Sequence, residues 1–431
     1  APPPPAPPPP PPSPPPAPPR GGLIESISRN TRADINPRND ATLNPNYPNQ
    51  APWETSVGWG ANALSAFSGA VFADGIGGAG TLMTYCATGH STNLEATCWA
   101  GFDVASREWR LIGRPLPCSP NNPLIAGVAP PPAQFDHTWG DWIGGSSDWP
   151  EGFRQSGYNP PMGSHTRNSF VYVPPTEAGN SQGKIVIAWQ PTSNNSGTGL
   201  RGAWVWDADT GLFSRTANLR PSHGSDVTGI GYSALHNVVI GHNFVSTGTS
   251  GALDFLDLSS LMWVRRNASS AIVVRIDSTN FIIGDLFVMV RHEPSGPVPM
   301  TLWAAPISAV KAGSAWNWTQ LAVDATSWPT KNGSSWTVSW SRCPVNGAFY
   351  AVNRVAGSNL LWKLSPPAAD DQTGALLAGR WQVTAETLDG DGLIGADFDY
   401  SRLRWSSALG AFLWFGESVT SAVQAIRPGG V

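Results

Sequence analysis

Charge is scarce in this chain: Asp, Glu, Lys and Arg make up 13% of its 431 residues, and the formal net charge is −4. Holding a phosphate backbone takes clustered Lys and Arg. The 26 basic residues are scattered instead, so a nucleic-acid partner is not expected. Unbroken apolar runs are short too, and none reaches the roughly 18 to 20 residues that a membrane-spanning helix needs. Cysteine is limited to Cys86, Cys98, Cys118 and Cys343, too few for a disulfide framework to carry a fold of this length. Cys86 and Cys98 flank the turn-like stretch TGHSTNLEAT, and they either face each other across a hairpin or are two half-buried free thiols. No Gly-x-Ser-x-Gly elbow, phosphate-binding Gly-rich loop or His-Glu-x-x-His pair is present. The start at Ala1 fits removal of an initiator Met as well as cleavage of a signal peptide.

In place of charge the chain has Gly 46, Pro 42 and Trp 21, a turn-rich composition with large aromatic anchors. Residues 1–20, APPPPAPPPPPPSPPPAPPR, fix φ near −65° at almost every position and remove nearly every backbone donor. Their regular option is a polyproline II rod, about 55 Å long at about 3.1 Å per residue. Such an arm either anchors the chain in an assembly, against aromatic faces or in bundles with its own copies, or serves as a stiff spacer. Residues 21–52 are polar, with recurring Asn, Asp and Pro and no helical or strand periodicity, and read as an extended connector.

From residue 53 onward one pattern recurs: an inner hairpin of apolar β runs, then a second hairpin with an aromatic early in its last strand. The clearest second hairpins are GFDVASREWRLIG (101–113), VWDADTGLFSRTA (205–217) and FLDLSSLMWVRRN (255–267), with looser copies at 303–322 and 361–386. Four short strands per unit at this spacing predict an all-β fold, a β-propeller of about six, or seven, four-stranded blades. The units fall near 57–113, 160–217, 223–267, 270–322, 335–386 and 397–427. The last lacks an outer strand, and the Trp-led residues 53–58 are expected to supply it, closing the ring and hiding its edges. Trp53, Trp109, Trp263, Trp318 and Trp381 then pack between blades. Residues 118–163 interrupt the rhythm and read as an insertion loop. Its Trp139, Trp142, Trp149, Phe153 and Tyr158 suit stacking on carbohydrate or a protein contact, or else cap the propeller's own face.

The unit FDVASREW, preceded by the glycine-bearing strand end CATGH at 86–90, resembles the kelch or galactose-oxidase-type propeller, although the family's Gly pair is reduced here. Residues 28–113 also resemble kelch-like proteins of phage and prophage tail or structural modules. That resemblance implies a virion component. The expectation built on it is a chain anchored by its proline arm to other virion proteins or to copies of itself, displaying the propeller to a host surface, such as its glycan, or to another protein. The alternative is a secreted or cell-surface glycan-binding or glycan-active propeller with the arm as wall spacer.

Galactose-oxidase chemistry would imply copper on two Tyr and two His, with one Tyr–His dipeptide. None of the seven Tyr is followed by His, and no cofactor or metal is expected. A carboxylate pair leaves little trace in sequence, so Asp136, Asp141, Asp148, Asp397 and Asp399 remain open as acid–base candidates. No catalytic set is assigned. Aligning the ends of the second strands puts His90, Gln190, His242, His292, Arg354 and Glu417 at equivalent places. These residues either ring one mouth of a central channel, where imidazoles could hold a metal or an anion, or satisfy turn backbones.

Overall fold

The computed structural model describes residues 31–34, 69–85, 99–112, 135–136, 141–142, 169–188, 204–217, 228–243, 251–272, 278–292, 300–326, 338–352, 358–389, 402–416, 423–429 and 431. These residues are mostly strand. In chain order the strands are β1 (Thr31–Asp34), β2 (Val71–Ala73), β3 (Thr81–Tyr85), β4 (Trp99–Asp103), β5 (Glu108–Ile112), β6 (Phe135–Asp136), β7 (Asp141–Trp142), β8 (Phe170–Val173) and β9 (Lys184–Ile187). They continue as β10 (Trp204–Asp207), β11 (Leu212–Arg215), β12 (Thr228–Ser233), β13 (Val238–Asn243), β14 (Leu253–Asp257), β15 (Met262–Arg266), β16 (Thr279–Ile283), β17 (Leu286–His292), β18 (Met300–Pro306) and β19 (Thr319–Gln320). The last are β20 (Ala322–Ala325), β21 (Ser341–Arg342), β22 (Phe349–Val352), β23 (Leu360–Ser365), β24 (Arg380–Thr387), β25 (Arg404–Ser406), β26 (Ala411–Phe415) and β27 (Val423–Arg427).

Apart from the two-stranded β6–β7, they form six sheets, each a run of consecutive antiparallel strands: β2 to β5, β8 to β11, β12 to β15, β16 to β19, β21 to β24 and β25 to β27. Two strands depart from that order. In the sixth sheet β1 pairs antiparallel with β27, Thr31 opposite Arg427 and Asp34 opposite Gln424. The place expected of residues 53–58 is therefore taken by Thr31–Asp34, inside the expected connector; residues 53–58 themselves lie outside the described residues. Four residues among polar neighbours are too few to show a period, and their partner is almost the whole chain away. In the fifth sheet β20 adds a parallel strand outside β24, and this was not expected. Short helices also stand where plain turns were read: α1 (Pro175–Ala178) between β8 and β9, α2 (Ile307–Ala312) after β18 and α3 (Thr373–Ala378) before β24.

The turns joining third to fourth strands repeat one device. Asp103, Asp207 and Asp257 each accept, through Oδ1, the backbone N–H three residues on, at 2.8, 3.2 and 3.0 Å. Their carbonyls accept the N–H four residues on, from Arg107, Gly211 and Leu261, each at 2.8 Å. Those fourth residues take left-handed φ values of 57°, 70° and 54°. Asp at the first position favours this geometry, because its short carboxylate binds the backbone that the turn leaves open.

The core lies between sheets. Ile185 and Ile187 of β9 pack towards the first sheet and Val186 towards the third. Phe287 and Met289 of β17 face the third sheet, whereas Leu286, Val288 and Val290 face the fifth. Burial on both faces explains why these strands read as unbroken apolar runs instead of alternating ones. Trp263 fills the space between the second and third sheets, Trp318 that between the third and fourth, and Trp381 that between the fourth and fifth, with 2%, 6% and 0% of their surface exposed. This is the packing role expected of them; Trp53 and the side chain of Trp109 lie outside the description.

Every neighbouring pair of sheets also meets at the end where the first two strands are joined. The Tyr172 hydroxyl accepts from Gly75 N–H at 3.0 Å and donates to the Gln182 carbonyl at 2.8 Å, tying the first sheet to the second. Burial, more than any other cause, pushes the Tyr172 phenol up to about 12. Ala178 of α1 and Tyr232 at the end of β12 share one cluster. His236 Nε2 lies 2.6 Å from Asp285 Oδ1, across the third and fourth sheets. A Cβ on Gly284 would overlap the Asp370 backbone, across the fourth and fifth. Cys343 and Ala348 share a cluster with Phe412, across the fifth and sixth. Ser407 Oγ donates to Asp74 Oδ1 at 2.7 Å, which brings the sixth sheet back to the first. The first strands therefore run in the same direction, and the molecule has a turn end, where these contacts lie, and a connector end, from which the second-to-third and sheet-to-sheet connections leave.

Candidate binding site

The first strands of all six sheets surround a cavity of about 320 Å³. Val71, Phe170, Ile230, Phe281 and Trp405 give it an apolar and aromatic wall, while Asn280, Ser341, Arg342 and Arg404 bring polar atoms to it. Among the described lining residues there is no carboxylate, imidazole or thiol. The two guanidinium groups are held by the surrounding sheets. Arg342 binds Asp370 through both terminal nitrogens, each at 2.5 Å, and lies over the Phe349 ring at 5.9 Å. Arg404 Nε donates to the Ala70 carbonyl at 2.7 Å, which also fixes the sixth sheet to the first. A small molecule here would meet rings to stack on and hydrogen-bond donors, and the volume falls in the range of ordinary ligand pockets. None of the described lining residues carries a group that moves a proton near neutral pH.

Close approach around this cavity depends on glycine in β12. A Cβ on Gly229 would overlap Asn280 Oδ1 and His242 Cε1. One on Gly231 would come within 2.8 Å of Ile282 Cδ1. The third and fourth sheets could not otherwise sit this near each other.

Of the residues aligned at second-strand ends, His242 is the one whose side chain is described, and it is fully buried at 0% exposure. It stands on β13 with Val238 and Ile240, on the face turned to the fourth sheet, with its ring 6.0 Å from that of Phe287. It is therefore packed between sheets and does not open onto a channel mouth. The alignment located its strand end but not its face, because side chains alternate and a one-residue difference moves one from rim to core. His292 ends β17, while His90, Gln190, Arg354 and Glu417 lie outside the described residues. So do Trp139, Trp149, Phe153 and Tyr158 of the insertion loop. Trp142 lies in β7, opposite Phe135, and Asp136 stands opposite Asp141 in the same pair of strands. Two of the five open carboxylate candidates are thus cross-strand neighbours. Asp148, Asp397 and Asp399 lie outside the description, as do Cys86, Cys98 and Cys118. Cys343 is buried and unbonded, and burial pushes its thiol up from the ordinary value.

Sequence reasoning missed the cavity residues. Arg342 and Arg404 lie in the first strands of consecutive sheets, two residues after Trp340 and directly before Trp405, and that was the available signal. Among the described residues no group of three His, Cys, Asp or Glu side chains is placed to hold a metal ion, and no helix is long and apolar enough to cross a membrane.

No protein-family model matches the chain, and no curated protein matches it. Solved structures do resemble it in outline. A hydrazine synthase of Kuenenia stuttgartiensis is 12% identical over 87% of this chain and 98% of its own, with a TM-score of 0.45. A structural-genomics protein of unknown function from Bacteroides thetaiotaomicron is 10% identical over 86% of this chain and 74% of its own, at 0.44. A protein of unknown function from Dyadobacter fermentans is 10% identical over 86% and 94%, at 0.42. Likeness at this level carries no functional assignment.

Proposed function

We propose that the six sheets are the blades of a kelch-type β-propeller, and that the chain is a non-enzymatic display and attachment protein of a phage particle. Its proline arm anchors it, and its propeller meets a host surface or another protein. The observation that carries the propeller reading is the chain of contacts at the turn end, from Gly75–Tyr172 round to Ser407–Asp74, which leaves the inner strands no open flank. Placement of Trp263, Trp318 and Trp381 between successive sheets supports it further. The attachment reading rests on the residues 1–20 arm and on the phage-type likeness of residues 28–113.

Deleting residues 1–20 tests the anchor. The shortened chain should fold with unchanged spectra and be lost from purified particles; normal incorporation would sink the reading. A glycan array tests the ligand. Binding that disappears in Trp142→Ala and Trp149→Ala chains places it on the insertion loop, and binding indifferent to both removes the loop from the account.

A further inference from the structure

The cavity lining holds more hydrogen-bond donors than its own surroundings satisfy. Tyr232 Oη, Trp340 Nε1 and Arg342 Nε are buried there and have no hydrogen-bond partner among the described residues. Trp340 as a whole is only 4% exposed. A buried donor left unpaired carries the full cost of its lost hydration, and native proteins leave few such groups. Several around one cavity call for a partner inside it. Asn280 Oδ1 is a fourth unpartnered atom of the lining and the one acceptor of the set. It lies against β12, 2.2 Å from where a Cβ on Gly229 would stand.

All three donors keep their hydrogens at neutral pH. The indole N–H does not titrate and the guanidinium stays charged. Burial, ahead of the charge of Glu177, pushes the Tyr232 phenol up to about 12. Arg342 adds geometry. A guanidinium has two edges that match a carboxylate, one formed by its two terminal nitrogens and one by Nε with a terminal nitrogen. Asp370, which does not line the cavity, takes the first edge. Nε on the second edge is the unpartnered atom. Arg404 is a further cation of the lining, and no described lining residue brings a carboxylate that would repel an anion.

We propose that the cavity binds a small carboxylate carried on a ring, free or as the end sugar of an acidic glycan. Its carboxylate bonds the Nε edge of Arg342, the Trp340 and Tyr232 donors take its remaining oxygens, and its ring lies against the aromatic wall of Phe170, Phe281 and Trp405. The unpartnered atoms are shielded from bulk water, so the ligand meets them through small rotations of the lining side chains. A volume of about 320 Å³ is room for about ten waters at about 30 Å³ each, which suits one ring and not a chain of them. The inference uses the cavity alone and stands whether or not the chain is anchored in a particle.

Calorimetric titration of the full chain tests it with benzoate, glucuronate, acetate and inorganic phosphate as probes. Benzoate or glucuronate should bind at least about tenfold more tightly than acetate, which has the charge without the ring. The tighter of the two tells a free aromatic acid from an acidic sugar. Arg342→Gln should weaken that ring acid at least about tenfold, the loss expected of a charge-assisted hydrogen bond. Because Arg342 also holds Asp370, Trp340→Phe and Tyr232→Phe serve as second variants. Each deletes a donor that bonds nothing among the described residues, so the thermal midpoint of the ligand-free chain should hold or rise while binding weakens several-fold. The proposal is overturned by no binding of either ring acid at millimolar concentration, by phosphate binding as tightly as they do, or by affinity indifferent to Arg342→Gln and Trp340→Phe.

Discussion

Ser407 Oγ donates a 2.7 Å hydrogen bond to Asp74 Oδ1, joining a turn of the sixth sheet to one of the first across most of the chain. Burial raises the Asp74 carboxyl above the ordinary carboxylate value, and the Ser407 bond pulls it part of the way back. A carboxyl raised in the folded state favours folding below its unfolded value, and this contribution is lost as pH rises through the folded value. Asp74→Asn keeps an acceptor for Ser407 and removes the partly desolvated charge. Its thermal midpoint should exceed that of the parent near neutral pH, the gain fading as pH falls below about 4. Calorimetry across this range checks it, and a midpoint lowered at neutral pH would contradict the account.

Trp381 is fully buried between the fourth and fifth sheets, and its indole Nε1–H donates to the Leu376 carbonyl at 3.0 Å. Trp381→Ala should cost about 3 to 5 kcal/mol in denaturant titration, whereas Leu235→Ala, at an exposed tip, should stay within about 0.5 kcal/mol. Similar costs at the two sites would contradict the packing described.

The repeated Asp turns predict opposite effects at equivalent positions. Gly211 has φ near 70° with open space around it, so Gly211→Ala should destabilise by about 1 kcal/mol through backbone strain alone. Arg107 holds the same conformation without that freedom, and Arg107→Gly should stabilise by about 0.5 kcal/mol. Thermal midpoints of the two variants read this directly.

The parallel strand β20 is tied to β24 by Asp324, which accepts from Arg380 Nε at 2.7 Å and from Gln382 Nε2 at 3.1 Å. The Arg380 bond holds the Asp324 carboxyl down at about 2. A lowered carboxylate stabilises above its unfolded value and loses that contribution as pH falls through the folded one. Hydrogen exchange in residues 322–325 should therefore quicken between about pH 4 and pH 2. In Arg380→Gln it should already be quick at pH 5 and change less across the interval.

The residues differ in how much of this was legible. The hairpins at 101–113, 205–217 and 255–267 were readable because an apolar run, a small-residue turn and a second run are all local. Trp263, Trp318 and Trp381 were readable as packing because each sits at or just before the start of a final strand, where the neighbouring sheet must cover it. For His242 the strand end was legible and the face was not, so its burial between sheets could not be read. Arg342 and Arg404 went unnoticed because nothing local marks a strand as one that lines a cavity.

By itself, the sequence determined the strand-rich character, the repeat of about six four-strand units and the tryptophans between them, since each depends on periods and turn chemistry within about a dozen residues. Only the tertiary structure decided that Thr31–Asp34 completes the sixth sheet, that β20 joins the fifth in parallel, and that His242 is buried. Those outcomes depend on which strand edges meet. A four-residue strand finds its partner almost 400 residues away because β27 would otherwise leave its backbone donors and acceptors unpaired.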